Sequence, residues 1–492
     1  MIRSLRAGSA LLFASTMLAL TLAPSAQALP DGVQRVTYMV GPLQITPGQN
    51  RIAYRPLPDE KPAVDGWIVR FKPNLVRPDG SDPPSDQVMF HHGVWLNLSR
   101  SDATVPGLPE RFVATGEEQT ILSFPKGFGY RYKASDRWLL NHMIHNLTPR
   151  SMTLYVSYTI DFIPDGSPAA EGIRPVRPIW MDVMNGNAYP VLDVHRGTGT
   201  NGRFTFPDDA KNPYPYGDPR NTWTVDRDGV LIGTAGHIHT GGLYNDLWLR
   251  RGGARRTHLF RSRARYWDDR GPVSWDVSMT ATRPSWRVAV HKGDTLETSA
   301  TYETKRASWY ESMGIMVVWM ADGGGGKDPY TTKVDYPGQV THGHLPENNH
   351  LGGGPSNLPD PRTLRSGVSS SAGPFSIAGF TYGAGDLRVP GPAGRPPVVH
   401  RGQSLTFELS QQDASQEIWH SLTSCAPPCN RSTGIAYPIP DGRYQFDSGQ
   451  LGTTTPAVGR LTWATPKNLP VGTYTYVCRI HPSMRGAFRV VP

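Results

Sequence analysis

Cysteine is scarce in this sequence. Cys425, Cys429 and Cys478 are the only three in 492 residues, so everything before Cys425 must fold without disulfides and rest on apolar cores alone. Long hydrophobic runs are missing too, with one exception from Ala10 to Leu22. That run follows Arg3 and Arg6 and precedes the small residues of Ser25-Ala-Gln-Ala28. It is too short to span a bilayer comfortably and reads as an export leader over residues 1–28, with the mature chain starting near Leu29. No later segment is apolar enough to cross a membrane, which predicts a secreted, extracytoplasmic protein without a transmembrane span. Sustained helical periodicity is rare, whereas Gly (52) and Pro (46) are abundant, a balance that favours short strands joined by turns. The expected class is all-β. No nucleic-acid-binding module is recognisable, so nucleic acid is excluded as a partner.

The strands have their own signature. Leu154, Val156, Tyr158, Ile160 and Phe162 alternate with Thr153, Tyr155, Ser157, Thr159 and Asp161, and Trp67, Val69 and Phe71 alternate with Ile68, Arg70 and Lys72. Both patterns suit half-buried strands of antiparallel sheets. Breaks at Pro164 to Pro178 and at Gly323-Gly-Gly-Gly326 divide the mature chain into a β domain over 35–165, a second over 175–322, a Gly/Pro/His-containing linker over 323–372 and a last β domain over 373–492. The linker carries His342, His344 and His350, for which a polar loop is the favoured reading over copper handling. The formal charge falls from +9 to +7 once the leader, with its two arginines and no acid, is removed. Arg250, Arg251, Arg255, Arg256, Arg261, Arg263 and Arg265 form one basic cluster. It is expected to be a solvated hairpin, with an acidic surface partner as the alternative.

An odd cysteine in an oxidising compartment needs a role. Cys425 and Cys429 are close enough in sequence to form a disulfide, which leaves Cys478. It lies in Tyr474-Thr-Tyr-Val-Cys478-Arg-Ile-His481-Pro-Ser-Met484, and a second imidazole is available at His420 in Glu417-Ile-Trp-His420. Two His, one Cys and a weak axial Met make the ligand set of an electron-transfer copper, since soft sulfur favours Cu(I) and imidazole also holds Cu(II). The C-x2-H-x2-M loop resembles that of the cupredoxins, amicyanin above all and plastocyanin more distantly, over about 120 residues. The resemblance implies a Greek-key β-sandwich with a type 1 copper on His420, Cys478, His481 and Met484. The Cys425–Cys429 disulfide would be an addition that pins the loop after His420.

Three histidine groups and a methionine stand out earlier: Phe90-His91-His92-Gly, Leu140-Asn-His142-Met-Ile-His145, Gly236-His237-Ile-His239, and Met313 in Tyr310-Glu-Ser-Met313-Gly. Alternate residues of a strand project to one face, so His237 and His239 can converge on one ion, and a thioether from Met313 would select copper over zinc. His91 and His92 are neighbours, and can share an ion only if the backbone bends.

This order, with Trp67-Ile-Val-Arg-Phe-Lys72 and Phe124-Pro-Lys-Gly-Phe-Gly-Tyr130, resembles the type 2 copper monooxygenases, peptidylglycine alpha-hydroxylating and dopamine beta-monooxygenase, over about 285 residues. The resemblance implies two tandem β-sandwich domains with coppers across an open cleft. It makes His91, His92 and a third histidine the electron-transfer set, and His237, His239 and Met313 the oxygen-binding, catalytic set. The third histidine is His142 or His145. The resemblance favours His145, because an apolar residue, here Ile144, precedes the family's ligand.

Two departures matter. The animal enzymes are stapled by disulfides, and this region has no cysteine. The peptidylglycine enzyme grips a carboxylate from positions that here are Ala235, Ile315 and Val317, so a less polar substrate is expected than a peptide ending in glycine. The implied protein is a copper monooxygenase with about three coppers per chain. Its partners would be O2, an external electron donor and a small organic or peptide-like substrate. The alternative is a non-enzymatic copper-binding or electron-relay protein.

Overall fold

The computed structural model describes residues 29–492, apart from 85–86, 185–190, 215–216, 268–270, 273–274, 307, 344–360, 366–373, 392–393, 426–443, 454–458 and 482. The expected export leader, His344, His350 and the expected Cys425–Cys429 disulfide lie outside the described residues. Period-two sequences become strands throughout, and among the described residues the only α-helix is Gln411–Ser415, capped where Asp413 N donates to Ser410 Oγ at 3.0 Å. No helix among the described residues is long and apolar enough to cross a membrane.

In the first unit two sheets face each other. Strand Met152–Pro164 lies between Gln34–Ile45 and Gly66–Val76, and the opposing sheet runs in the order Ile52–Leu57, Trp138–Asn146, Val88–Ser101, Pro109–Thr115. The alternation of Leu154, Val156, Tyr158, Ile160 and Phe162 holds, and all five are buried in the core between the sheets. Phe71 stacks on Tyr158 with ring centroids 5.0 Å apart, and Trp95 meets both rings edge-on. The expected alternation of Trp67, Val69 and Phe71 does not hold. The register slips between Ile68 and Arg70, an irregularity that resets the alternation, and Ile68 joins Phe71 in the core in place of Trp67.

The second unit orders its strands Arg174–Asp182, Gly314–Asp322, Gly229–Ile238, Val277–Ala281, Thr257–Tyr266, Gly242–Arg250, Thr295–Glu303 and Arg203–Phe206. The two units share backbone hydrogen bonds: strand Phe128–Tyr132 runs parallel to Arg174–Asp182 through Arg174↔Phe128, Pro175↔Gly129 and Val176↔Tyr130. One 16-stranded sheet therefore passes through both. The core is continuous as well, since Val176, Val230, Ile232 and Trp319 pack with Tyr130 and Phe124.

The second unit also continues past 322. Gly323, Gly325 and Gly326 take φ of 83°, 128° and 89°, which side chains rarely adopt, and the turn sends the chain back along the unit. Val334 enters the core, Gln339–Val340 pairs with Val277–Ala281, and Ile121 N donates to Thr341 Oγ1 at 2.9 Å. The expected linker is thus docked at least as far as His342.

The basic cluster falls on the hairpin formed by Gly242–Arg250 and Thr257–Tyr266. Arg250 pairs with Glu297, Arg251 with Asp294 and Asp328, Arg256 with Asp208 and Glu297, and Arg261 with Asp246, which neutralises much of the patch locally.

The C-terminal domain packs a three-stranded sheet (Phe375–Ile377, Thr406–Leu409, Thr462–Ala464) on a five-stranded one (Val398–His400, Arg485–Val491, Gly472–Val477, Thr423–Cys425, Tyr444–Asp447). It rests on both N-terminal units. Phe380 and Ile418 close on Gly48, whose φ of 62° and tight surroundings leave no room for a side chain. Arg479, only 1 % exposed, donates to Ser308 O, lies 4.6 Å from the Tyr310 ring and reaches Asp447 at 3.4 Å.

Candidate metal centres

The loop after strand Gly472–Val477 is closed by Cys478 N donating to Met484 O (3.2 Å) and Met484 N to His481 O (2.9 Å). This folds the C-x2-H-x2-M segment back on itself, and His420 arrives from the neighbouring chain segment. Among the described residues, His420, Cys478 and His481 are the group of three such donors that lie mutually within 4.8 Å, and all three are buried. Met484 is buried in the same core. His420 Nε2 donates to Asp413 Oδ2 at 3.0 Å, which turns Nδ1 toward the cluster. Nδ1 lies 3.2 Å from His481 Nδ1, with Cys478 Sγ 3.9 Å from the same His481 nitrogen. Cys478 Sγ also accepts from Ser421 N (3.4 Å) and His481 N (3.3 Å). Burial opposes the thiolate, but His420 and these two N–H groups outweigh it and lower the thiol pKa.

The first-unit histidines depend on a backbone irregularity. Between Phe90 and His92 the ladder with strand Trp138–Asn146 slips: Phe90 pairs with Ile144 and His92 with Met143, leaving His91 as the extra residue. This β-bulge is the bend that neighbouring histidines require. Paired residues share a face, so His92 lies on the side of Met143, and Met89 on the side of His145. His142 falls by alternation on the opposite face, with Leu140 and Ile144 of the first core. The structure thus separates the two candidates: His145 faces the junction and His142 does not.

Across the junction, His237 and His239 bring their Nε2 atoms to 3.1 Å. Each has its other nitrogen engaged: His237 Nδ1 with Glu118 Oε1 at 3.0 Å, and His239 Nδ1 donating to Glu311 O at 2.5 Å. The two Nε2 atoms are then both acceptors, and two facing lone pairs repel unless a cation lies between them. Burial and then His237 hold the His239 pKa well below the usual imidazole range, so His239 itself is a poor place for an added proton. Met313 lies next to the last ladder pair, Ile238↔Gly314. Tyr302 Oη ties it to His239, accepting from both backbone N–H groups at 3.1 Å and donating to Met313 O at 2.5 Å.

The two sets abut. The His91 and His239 rings stand 4.3 Å apart by centroid, closer than His91 and His92 at 5.7 Å. No open cleft separates these two rings, unlike the expectation from the resemblance. His91, His92 and His145 do not draw three donor atoms within 4.8 Å of one another. His92 Nε2 donates to Asn141 Oδ1 at 3.1 Å, and burial lowers the His92 pKa to about 3 despite that bond. Burial alone holds His145 at about 3, and both its ring nitrogens are buried without a hydrogen-bond partner. An imidazole left in that state fits a metal ligand better than a packing residue. Its ring lies 6.2 Å from His481 of the C-terminal set.

Sequence reasoning missed Asp413, Glu118, Glu311, Asn141 and Tyr302, which orient the histidines. Gly116 matters for the same reason. A Cβ there would fall 2.6 Å from His237 Cε1, 2.9 Å from Glu118 Oε2 and 2.9 Å from His91 O. Gly116→Ala is expected to cost ~1–3 kcal/mol by overpacking and to weaken metal binding ~10–100-fold through the displaced His237, read by thermal melting and copper titration.

No family model and no curated protein matches the chain. Among solved structures it is similar to the STIV MCP (TM-score 0.25, 10 % identity, covering 59 % of this chain and 97 % of that one). It is also similar to PNGF-II (TM-score 0.27, 10 % identity, 59 % and 66 %). A third is the Cu-containing nitrite reductase from Thermus scotoductus SA-01 (TM-score 0.15, 12 % identity, 53 % and 55 %).

Proposed function

We propose that this chain is an exported copper monooxygenase that hydroxylates a small organic substrate with O2, drawing electrons through a type 1 copper domain docked on its own catalytic core. The observation that carries this reading is the placement of His145. It is buried, its ring nitrogens lack hydrogen-bond partners, and it stands between the His420, Cys478 and His481 cluster and the histidines of the junction. Copper bound at these sets would supply one-electron transfer at Cys478 and oxygen activation at His237, His239 and Met313.

The chain's own residues do the rest. Asp413, Glu118 and the Glu311 carbonyl fix His420, His237 and His239 so that one nitrogen of each ring faces inward. Tyr302 holds Met313 beside His239, and the apolar side chains of Ile315 and Val317 keep a carboxylate clamp out of the site. An external donor would reduce the C-terminal set.

The test is metal analysis with optical and magnetic spectroscopy of the wild type and Cys478→Ala. About three coppers per chain are expected in the wild type, and about two in the variant, with the intense blue band lost and the type 2 signals kept. A wild type without a blue band would sink the proposal. A second reading, a non-catalytic copper relay, draws on the failure of His91, His92 and His145 to form a three-donor cluster. Reductant-dependent oxygen uptake that disappears in Met313→Ala separates catalysis from relay.

A further inference from the structure

A cavity of about 440 Å³, within the range of small-ligand pockets, opens against both histidine sets. His92, His237 and Met313 contribute to its lining, together with Leu96, Leu139 and Ile315. One polar feature stands out. Asp182 lines this cavity and is only 3 % exposed, yet its Oδ1 has no hydrogen-bond partner. Its Oδ2 is already engaged, accepting from Arg111 Nη1 (3.1 Å) and Trp180 Nε1 (3.0 Å). A buried carboxylate oxygen without a donor is costly unless a ligand supplies one.

The ladder fixes where that donor would sit. Asp182 pairs with Ile315, and Ile315 pairs with His237 on the next strand. The three therefore form one row on one face, placing Asp182 two strand spacings, ~10 Å, from His237. The charges around the anchor balance: Arg111 joins Asp102 (2.8 Å) and Asp182, and Arg220 lies near Asp182. Arg111, Arg220 and Asp182 line the cavity and Asp102 offsets Arg111 from outside the lining, so the four groups sum to no net charge and call for none on the occupant. Arg111 is also committed, lying 4.8 Å over the Trp180 ring between its two acids, and is not available to grip a carboxylate.

We propose that this cavity binds an uncharged, largely apolar molecule carrying one hydrogen-bond donor, which Asp182 Oδ1 accepts while the carbon body extends toward His237 and Met313. Its role as the substrate pocket rests on the monooxygenase reading; the binding itself does not. Phenylbutanol, phenylbutanoate, phenylbutylamine and butylbenzene share one carbon body and serve as probes. Each is titrated into the copper-free full chain, followed by calorimetry and by the fluorescence of Trp180 and its neighbours.

Phenylbutanol is expected to bind ~10-fold or more tighter than butylbenzene, the margin of one hydrogen bond to a charged acceptor. Asp182→Ala is expected to erase that margin. Because Asp182 also holds Arg111, Ile315→Trp provides a second variant that fills the cavity while keeping the Asp182 carboxylate and its bond to Arg111, and it is expected to abolish binding of both probes. Tighter binding of the carboxylate or the amine than of the alcohol overturns the proposal, as does unchanged binding in Ile315→Trp or no binding of phenylbutanol up to its solubility limit. A chain that loads copper but ignores the alcohol refutes this inference alone. A chain that binds the alcohol but takes up no copper refutes the monooxygenase reading alone.

Discussion

His145→Ala is expected to weaken copper binding in the first unit by ~100-fold or more, at least the loss caused by removing an outer-shell partner, and to leave the blue band of the C-terminal site intact. Stopped-flow mixing of the reduced chain with O2 should then show the blue colour returning far more slowly than in the wild type. The reasoning is geometric. His145 lies 6.2 Å from His481 and faces the junction, so it belongs to both neighbourhoods. His142→Ala provides the control. Its side chain shares a face with Leu140 and Ile144, so its loss should reduce stability with little effect on reoxidation. If His142→Ala proved the damaging change, the assignment of the third ligand would be reversed.

The second large effect is expected at the domain contact. Arg479→Ala removes a buried guanidinium that reaches from the loop of Cys478 to Ser308 and Tyr310 of the second unit. Deleting one partner of a buried charge network costs ~3–5 kcal/mol. The C-terminal domain should then melt separately, with one calorimetric transition splitting into two. Internal electron transfer should become limited by re-docking, while the blue band of the isolated domain persists because no ligand has been touched. A single transition at the wild-type temperature would show that Phe380 and Ile418 against Gly48 suffice to hold the domain.

The C-terminal donor set was legible because three of its four residues lie within one short loop, where spacing alone carries the geometry. Its orienting carboxylate, Asp413, was not, since it comes from a helical turn with no sequence mark of its partner. The choice between His142 and His145 was in reach. Period two in strand Trp138–Asn146 puts Leu140, His142 and Ile144 on one face, and that apolar company identifies His142 as the inward residue. The irregularities at Ile68 and His91 were not in reach, because a register slip depends on the partner strand rather than the strand that carries it. Docking of residues 327–342 escaped notice for a similar reason: two scattered anchors, Val334 and the partly buried Tyr330, are too little to read as structure. Glu117 and Glu118 in Gly116-Glu-Glu gave only a faint sign, two acids destined for burial in an otherwise uncharged segment.

The parallel ladder between Phe128–Tyr132 and Arg174–Asp182 has a mechanical consequence. Halves joined by a flexible connector can swing apart to admit a reactant, but halves joined by shared main-chain hydrogen bonds cannot do so without breaking the sheet. The spacing between the two histidine sets is therefore settled when folding finishes. Neither half expressed alone would contain the junction, so the centre comes into existence only as a product of their joint folding.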